Sequence, residues 1–324
     1  MRVVSLVKNI DGCTFHRVYM PNKYIDAEVR TLVNVQEEDM EWCDLLIYSR
    51  HYIVSPKFLN EMKEKHNVKI VVDTDDSIDL HKNHPNFNYF SKTDTTLQIK
   101  QHIMYADAVT VTHERLADEI RKLNPNVYII PNGIAYGEGQ FVFKPQEPSD
   151  RLRLLYASSV LNYSNTEMLR GVFEGMNVEF VLAANDGSKF FTEIVKNLTG
   201  NVLPYTSHKW KGVDEYMSAY EGDVLIVPNK SMYFNSMKSN LKILEAAVLK
   251  IPVIVSRTHP YIDEDFPVIY ANSAKEWRCA VERLMDPTER KRLGEELYDY
   301  CKERYDLKVL AKKRLQVYQD ILSK

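Results

Sequence analysis

The stretch DVLIVPNKSMYFNSMKSNLKILEAAVLKIPVIVS, residues 223–256, holds the residues best placed for chemistry. Asn235, Lys238, Ser239 and Asn240 follow an apolar run, where a helical period sets in near Lys238. A helix amino terminus leaves N–H groups without intrahelical partners and carries a partial positive charge, so it suits an anion, phosphate above all. Lys238, Lys242 and Glu245 are spaced by four and three residues, which predicts one shared helical face. Two ammonium groups near a helix start, with a carboxylate one turn deeper, fit a nucleoside diphosphate. The lysines would neutralise the phosphates and the carboxylate would accept both ribose hydroxyls. The same spacing also describes an ordinary surface ion-pair cluster, worth about 0.2–0.5 kcal/mol per pair.

Other reactive side chains sit just beyond apolar runs. Ser158 and Ser159 follow RLLYAS, small enough for a close backbone approach and with hydroxyls able to bond a phosphate. Gly12 permits a tight turn after the first run, and His16 and Arg17 open the next helix. Ser49, Arg50 and His51 end DLLIYS, and Arg50 is a candidate contact to phosphate or to a second substrate. Asp73, Asp75 and Asp76 in VVDTDDSIDL form a carboxylate cluster of the kind that holds Mg²⁺ or Mn²⁺. Carboxylates at a strand end equally cap helices and order loops. His113 follows AVTVT and either takes part in chemistry or simply starts a helix.

The elements that must position these groups alternate regularly. Strands are expected at 2–7, 31–35, 44–49, 69–75, 108–112 and 127–131, then at 153–158, 178–183, 223–228, 252–256 and 267–270. Helical stretches such as SPKFLNEMKEKH and THERLADEIRKLN lie between them; in the second, Thr112 is an N-cap candidate and Pro125 a stop. Continuous apolar strands alternating with amphipathic helices predict parallel sheets covered on both faces. The segment 137–150, GEGQFVFKPQEPSD, has Gly, Pro and no period, and reads as a linker. The expectation is therefore an α/β chain of two doubly wound, Rossmann-like domains, 1–136 and 151–300, facing across a cleft where ligands bind beyond the strand ends. Residues 301–324 form a closing helix, expected to pack back toward the N-terminal domain with Lys308, Lys312, Lys313 and Arg314 on a solvated face.

Composition narrows the function. The 324 residues carry 42 basic and 45 acidic side chains, a net charge of -3, without the basic excess of a dedicated nucleic-acid binder. No apolar run reaches the roughly 20 residues of a membrane span, and the opening strand is too brief for a signal peptide. The four scattered cysteines, Cys13, Cys43, Cys279 and Cys301, show no paired spacing. A reduced cytoplasmic protein without structural zinc or integral membrane association is expected.

Phe234, Asn235, Lys238, Ser239, Lys242, Glu245, Pro252, Val253 and Ile254 occur in the order of a pattern found in a subgroup of the group 1 glycosyltransferases of the GT-B fold, and the chain resembles that family. Asp223 and Pro228 before the pattern, and Ser256, Pro260 and Tyr261 after it, agree as well. The resemblance implies a retaining glycosyltransferase that moves a sugar from a nucleotide-diphosphate donor, such as a UDP-sugar, without metal or other cofactor. It implies that Glu245 binds the donor ribose and that Lys242 lies by the diphosphate, with Lys238, Ser239, Asn240, Ser158, Ser159, Gly12 and Arg17 around it. Asn185 and Asp186 fall where the family contacts the nucleobase. Asp75 and Asp76 are expected to orient the acceptor hydroxyl, with Arg50 and His113 as further catalytic candidates. Two positions depart from the pattern. Met237 stands eight residues before Glu245, where many relatives hold the sugar with an acid, so Asn235 or backbone groups are expected to take over. Lys250 replaces a helix-ending Gly, which changes the cap alone. A saccharide or other polymer acceptor is expected, with hydroxymethylated DNA as the alternative, and a non-catalytic nucleotide-sugar binder as the competing class.

Overall fold

The computed structural model describes residues 1–7, 10–50, 55–82, 84–184 and 188–324. They form two units: Met1–Ile134 with Met237–Ser239 and Tyr305–Lys324, and Ala135–Ser236 with Asn240–Arg304.

The first unit is a six-stranded sheet of β1 (Arg2–Leu6), β2 (Glu28–Leu32), β3 (Leu45–Ser49), β4 (Lys69–Thr74), β5 (Ala108–Val111) and β6 (Val127–Ile129). Its order is β2-β1-β3-β4-β5-β6, and every pair is parallel. β3 and β5 are buried at every residue because apolar side chains face helices on both sides. The edge strand β2 lies three residues before its expected place; its EVRTL sequence is mostly exposed and carries no apolar run to read.

The helix Leu307–Leu322 belongs to this unit, with Ala311, Val317, Tyr318 and Ile321 packed against Val3, Leu45 and Ile47. The chain re-enters through paired backbone bonds, Ile134 N–H to Tyr305 O at 2.9 Å and Leu307 N–H to Ile134 O at 3.0 Å. A Cβ at Gly133 would meet the end of the Leu307 side chain at 2.7 Å and the Tyr305 carbonyl oxygen at 3.1 Å, so the chain passes closely here. Lys308, Lys312 and Lys313 are exposed as expected, but Arg314 is only 2% exposed and donates to the Tyr318 hydroxyl at 3.0 Å.

The second unit holds β7 (Leu152–Ala157), β8 (Val178–Ala183), β9 (Tyr205–His208), β10 (Val224–Val227), β11 (Val253–Val255) and β12 (Ile269–Tyr270), in the order β12-β11-β10-β7-β8-β9. Relative to its own first strand this is the Rossmann order, with the topological switch between β7 and β10. β9 escapes the periodicity because its YTSH residues sit at an exposed edge. Residues 137–150 carry no helix or strand and, though mostly exposed, are anchored to this unit by a few side chains. Phe141 is buried, the Gln140 amide donates to Val213 O at 2.9 Å, and Gln146 Oε1 accepts from Gly222 N–H at 2.9 Å.

Candidate active site

In a doubly wound sheet the ligand crevice lies beyond the carboxyl ends of the strands at the switch point, here the loops after β7 and β10. After β7, Ser158 Oγ accepts from the Asn162 amide at 3.1 Å, and Ser159 Oγ accepts from Leu161 N–H at 3.3 Å, starting the 3₁₀ stretch Val160–Leu169. Both serines thus order their own loop, with Ser159 exposed.

After β10 the chain makes one turn, Tyr233–Ser236, and then a helix, Leu241–Val248. The helix begins at Leu241, after the N-cap Asn240, three residues later than expected. Lys238 therefore does not share a helical face with Lys242 and Glu245; that reading is corrected. Tertiary contacts override the local period here. Met237 is buried in the apolar cluster of the first unit, Lys238 Nζ stands 3.5 Å from Asp76 Oδ2, and Ser239 Oγ accepts from the Asn132 amide at 2.8 Å. A side chain packed among Leu, Ile and Val cannot hold a sugar, so Met237 is removed from the sugar-binding set. Asn235 is also committed: its buried amide nitrogen donates to Asn165 Oδ1 at 3.0 Å and Lys230 O at 2.9 Å, knotting the loop. The helix ends in a Schellman motif, Ile251 N–H to Ala246 O and Lys250 N–H to Ala247 O, with Lys250 itself at φ +52°. Lysine thus adopts the left-handed turn that glycine makes freely.

Glu245 is 2% exposed. Its Oε1 accepts from the Tyr216 hydroxyl at 2.9 Å; its Oε2 accepts from the Tyr220 hydroxyl and from Lys242 Nζ, both at 2.8 Å. Lys242 also donates to the Tyr220 oxygen at 2.7 Å, while its side chain stays 29% exposed. Burial, reinforced by the Glu245 charge, pushes both phenols well above their ordinary pKa, so they remain donors. Both carboxylate oxygens that were expected to take ribose hydroxyls are thus held by phenols. The two tyrosines were missed at the sequence level; their only signal is an i,i+4 pair in EYMSAYEGD.

In the first unit the structure separates the expected contacts into struts and accessible groups. Arg17 is 1% exposed and wholly engaged: it clasps Asp73 with two bonds of 2.8 and 2.9 Å and donates to Ile130 O at 2.7 Å. Burial opposes its charge, and the Asp73 carboxylate more than compensates. Asp73 also accepts from Thr110 at 2.6 Å. These interactions correct one expectation, that Arg17 binds phosphate, and they engage both Asp73 oxygens. Arg50 braces the acidic loop from beneath, donating to Asp76 O and to Ser77 O at 2.7 Å. His113 caps the helix Glu114–Ile120 through Nδ1, 3.3 Å from Leu116 N–H, and its Nε2 lies 3.2 Å from Met237 O. The cap accounts for its position, and no reacting group is needed to explain it.

Asp75 and Asp76 remain half-buried at the end of β4. Asp76 Oδ1 accepts from Ser77 N–H at 2.9 Å and Oδ2 faces Lys238. Asp75 lies by Cys13, whose thiol is pushed well up, first by burial and then by this carboxylate. His81 and His84 pack edge to face at 5.7 Å and sense the Lys238 charge. Gly12 is exposed, with open space around it and no left-handed φ, so the backbone places no demand for glycine there. Asn185 and Asp186 lie outside the described residues. Among the described residues, one group of three possible metal ligands converges, Glu37, Glu41 and His66, and the acidic loop is not part of it. No described helix is long and apolar enough to cross a membrane.

No family model matches the chain, and no curated protein does. Solved structures do. Anabaena HepE in complex with UDP-glucose is 10% identical with a TM-score of 0.66, covering 100% of both chains. An E. coli trehalose-6-phosphate protein bound with UDP-2-fluoro glucose is 11% identical with a TM-score of 0.59, over 100% of this chain and 99% of the other. S. aureus TarM, crystallised with UDP among its ligands, is 14% identical with a TM-score of 0.56, over 86% of this chain and 55% of its own. At these identities the likeness establishes the fold: the chain has the two-unit, doubly wound α/β architecture of the GT-B type.

Proposed function

We propose that the protein is a glycosyltransferase that moves a sugar from a nucleotide-diphosphate donor to a hydroxyl of a saccharide or other polymer acceptor. One observation carries the reading: Lys242, in the first turn of the helix after β10, presents a partly exposed ammonium anchored by Tyr220 and Glu245. The setting supports it, since structures of the same fold across their whole length hold UDP and UDP-glucose. In this proposal the helix start at Asn240 and the Lys242 ammonium receive the diphosphate and stabilise the charge that develops on it as the sugar departs. Transfer proceeds with retention and without metal: the leaving diphosphate takes the acceptor proton, and Asp75 and Asp76 orient the acceptor hydroxyl. Glu245 acts behind the site, as the buried counter-charge that aims Lys242. No observation favours a DNA acceptor.

The test is a thermal-shift panel of UDP-, GDP-, dTDP- and CMP-sugars, because a ligand of the native state raises the melting point by mass action. One of them should bind, and Lys242→Ala should weaken it by about 10- to 150-fold, the loss of one charge-assisted hydrogen bond of roughly 1.5–3 kcal/mol. Failure of every nucleotide sugar to bind, or equal binding by the variant, would sink the reading. A second reading, a non-catalytic nucleotide-sugar binder, is favoured by the closure of Glu245 under two phenols. Release of free sugar from the bound donor discriminates against it.

A further inference from the structure

Beside the helix Thr95–Tyr105, the first unit has an open cavity of about 370 Å³, within the size range of small-ligand sites. Phe87 and Phe90 give it an apolar wall; Asp79, Ser91, Asp94 and Lys100 give it a polar one. Lys100 Nζ donates to both Asp79 oxygens, at 2.9 and 3.0 Å, yet the Asp79 side chain stays 53% exposed and able to accept further bonds. Two carboxylates against one ammonium make the lining net negative, which disfavours phosphates, nucleic acids and anionic headgroups. An occupant with one apolar C–H face and several hydroxyl donors fits both walls. That description is a neutral sugar ring.

Position ties the cavity to the acidic loop. Asp79 is three residues from Asp76, a chain distance of at most about 11 Å. The loop between them is braced, with Ser77 Oγ donating to Asp79 O at 3.2 Å and Arg50 gripping Ser77 O. We infer that this cavity is a recognition subsite for a neutral sugar unit of the acceptor, next to the unit whose hydroxyl is glycosylated. The acceptor is then an oligosaccharide of at least two units. This rests on the transferase reading above.

The experiment is ligand-observed NMR of the full chain with maltose, cellobiose, lactose and chitobiose, alongside a UDP titration that reads the second unit separately. At least one disaccharide should bind the wild type. Ser91→Trp, at an exposed helix position lining the cavity, should fill it and weaken that disaccharide at least tenfold. Asp79→Asn should weaken it by roughly tenfold through loss of the charged acceptor. Circular dichroism checks that both variants fold, and Asp79→Asn decides alone if Ser91→Trp does not. The inference is overturned if no disaccharide binds the wild type, or if a folded variant binds as well as the wild type. UDP binding without disaccharide binding removes the subsite and leaves the transferase reading standing. Disaccharide binding in a chain that takes no nucleotide sugar removes the transferase reading, and the acceptor assignment with it.

Discussion

Replacing Glu245 with alanine should damage the fold before it damages any chemistry. The carboxylate is closed to solvent and receives two phenol hydroxyls at 2.8–2.9 Å as well as the Lys242 ammonium. Lys242 can turn to water, since its side chain is 29% exposed. Tyr216 and Tyr220 cannot, being 5% and 4% exposed. Each buried donor left unmatched costs about 1–3 kcal/mol, so Glu245→Ala should lose about 2–6 kcal/mol. That is a large share of the roughly 5–15 kcal/mol that holds a domain folded. At about 2–4 °C per kcal/mol for a unit of this size, the melting point should fall by roughly 4–24 °C. Calorimetry on wild type, Glu245→Ala and Tyr220→Phe measures this directly. Tyr220→Phe should fall less, because Glu245 keeps Tyr216 and Lys242. A Glu245→Ala protein melting within about 1 °C of the wild type would refute the reasoning, since two buried phenols cannot lose their acceptor at no cost.

Two further outcomes follow from the same geometry. If phenols hold both Glu245 oxygens in the donor complex, UDP and 2′-deoxy-UDP should bind within about threefold of each other by calorimetric titration. A direct carboxylate–hydroxyl contact would instead cost the deoxy compound roughly 10- to 150-fold, and that result would restore Glu245 as a ribose ligand. His84 is pushed down to about 4, first by burial and then by His81 and Lys238. The unfolded chain therefore takes up a proton near pH 6.5 that the folded chain refuses, so this residue should make stability fall as pH drops from about 6.5 to 4 and level off below. Denaturation at pH 7 and 4.5 should show a smaller drop for His84→Gln, and an NMR titration placing His84 near 6.5 would contradict the assignment.

Much of this protein is written locally. β-branched runs of four to six residues that recur between amphipathic helices dictate parallel, doubly buried strands whatever their partners, so β1, β3, β4, β7, β8 and β10 stand within a residue or two of where periodicity puts them. The Lys242–Glu245 pair is local too: an i,i+3 contact follows once the helix forms. The edge strand β2 was read three residues late and the edge strand β9 was illegible, because exposed residues leave no apolar signature. What the side chains do at the site was decided by tertiary structure, because their partners are distant in sequence. Arg17 meets Asp73 across 56 residues, Asp76 meets Lys238 across 162, and Glu245 meets Tyr216 across 29. Spacing shows which charges can share a helix face. It does not show whether a guanidinium will be spent on a buried carboxylate or a carboxylate covered by phenols, since desolvation and long-range pairing exist only once the chain has folded.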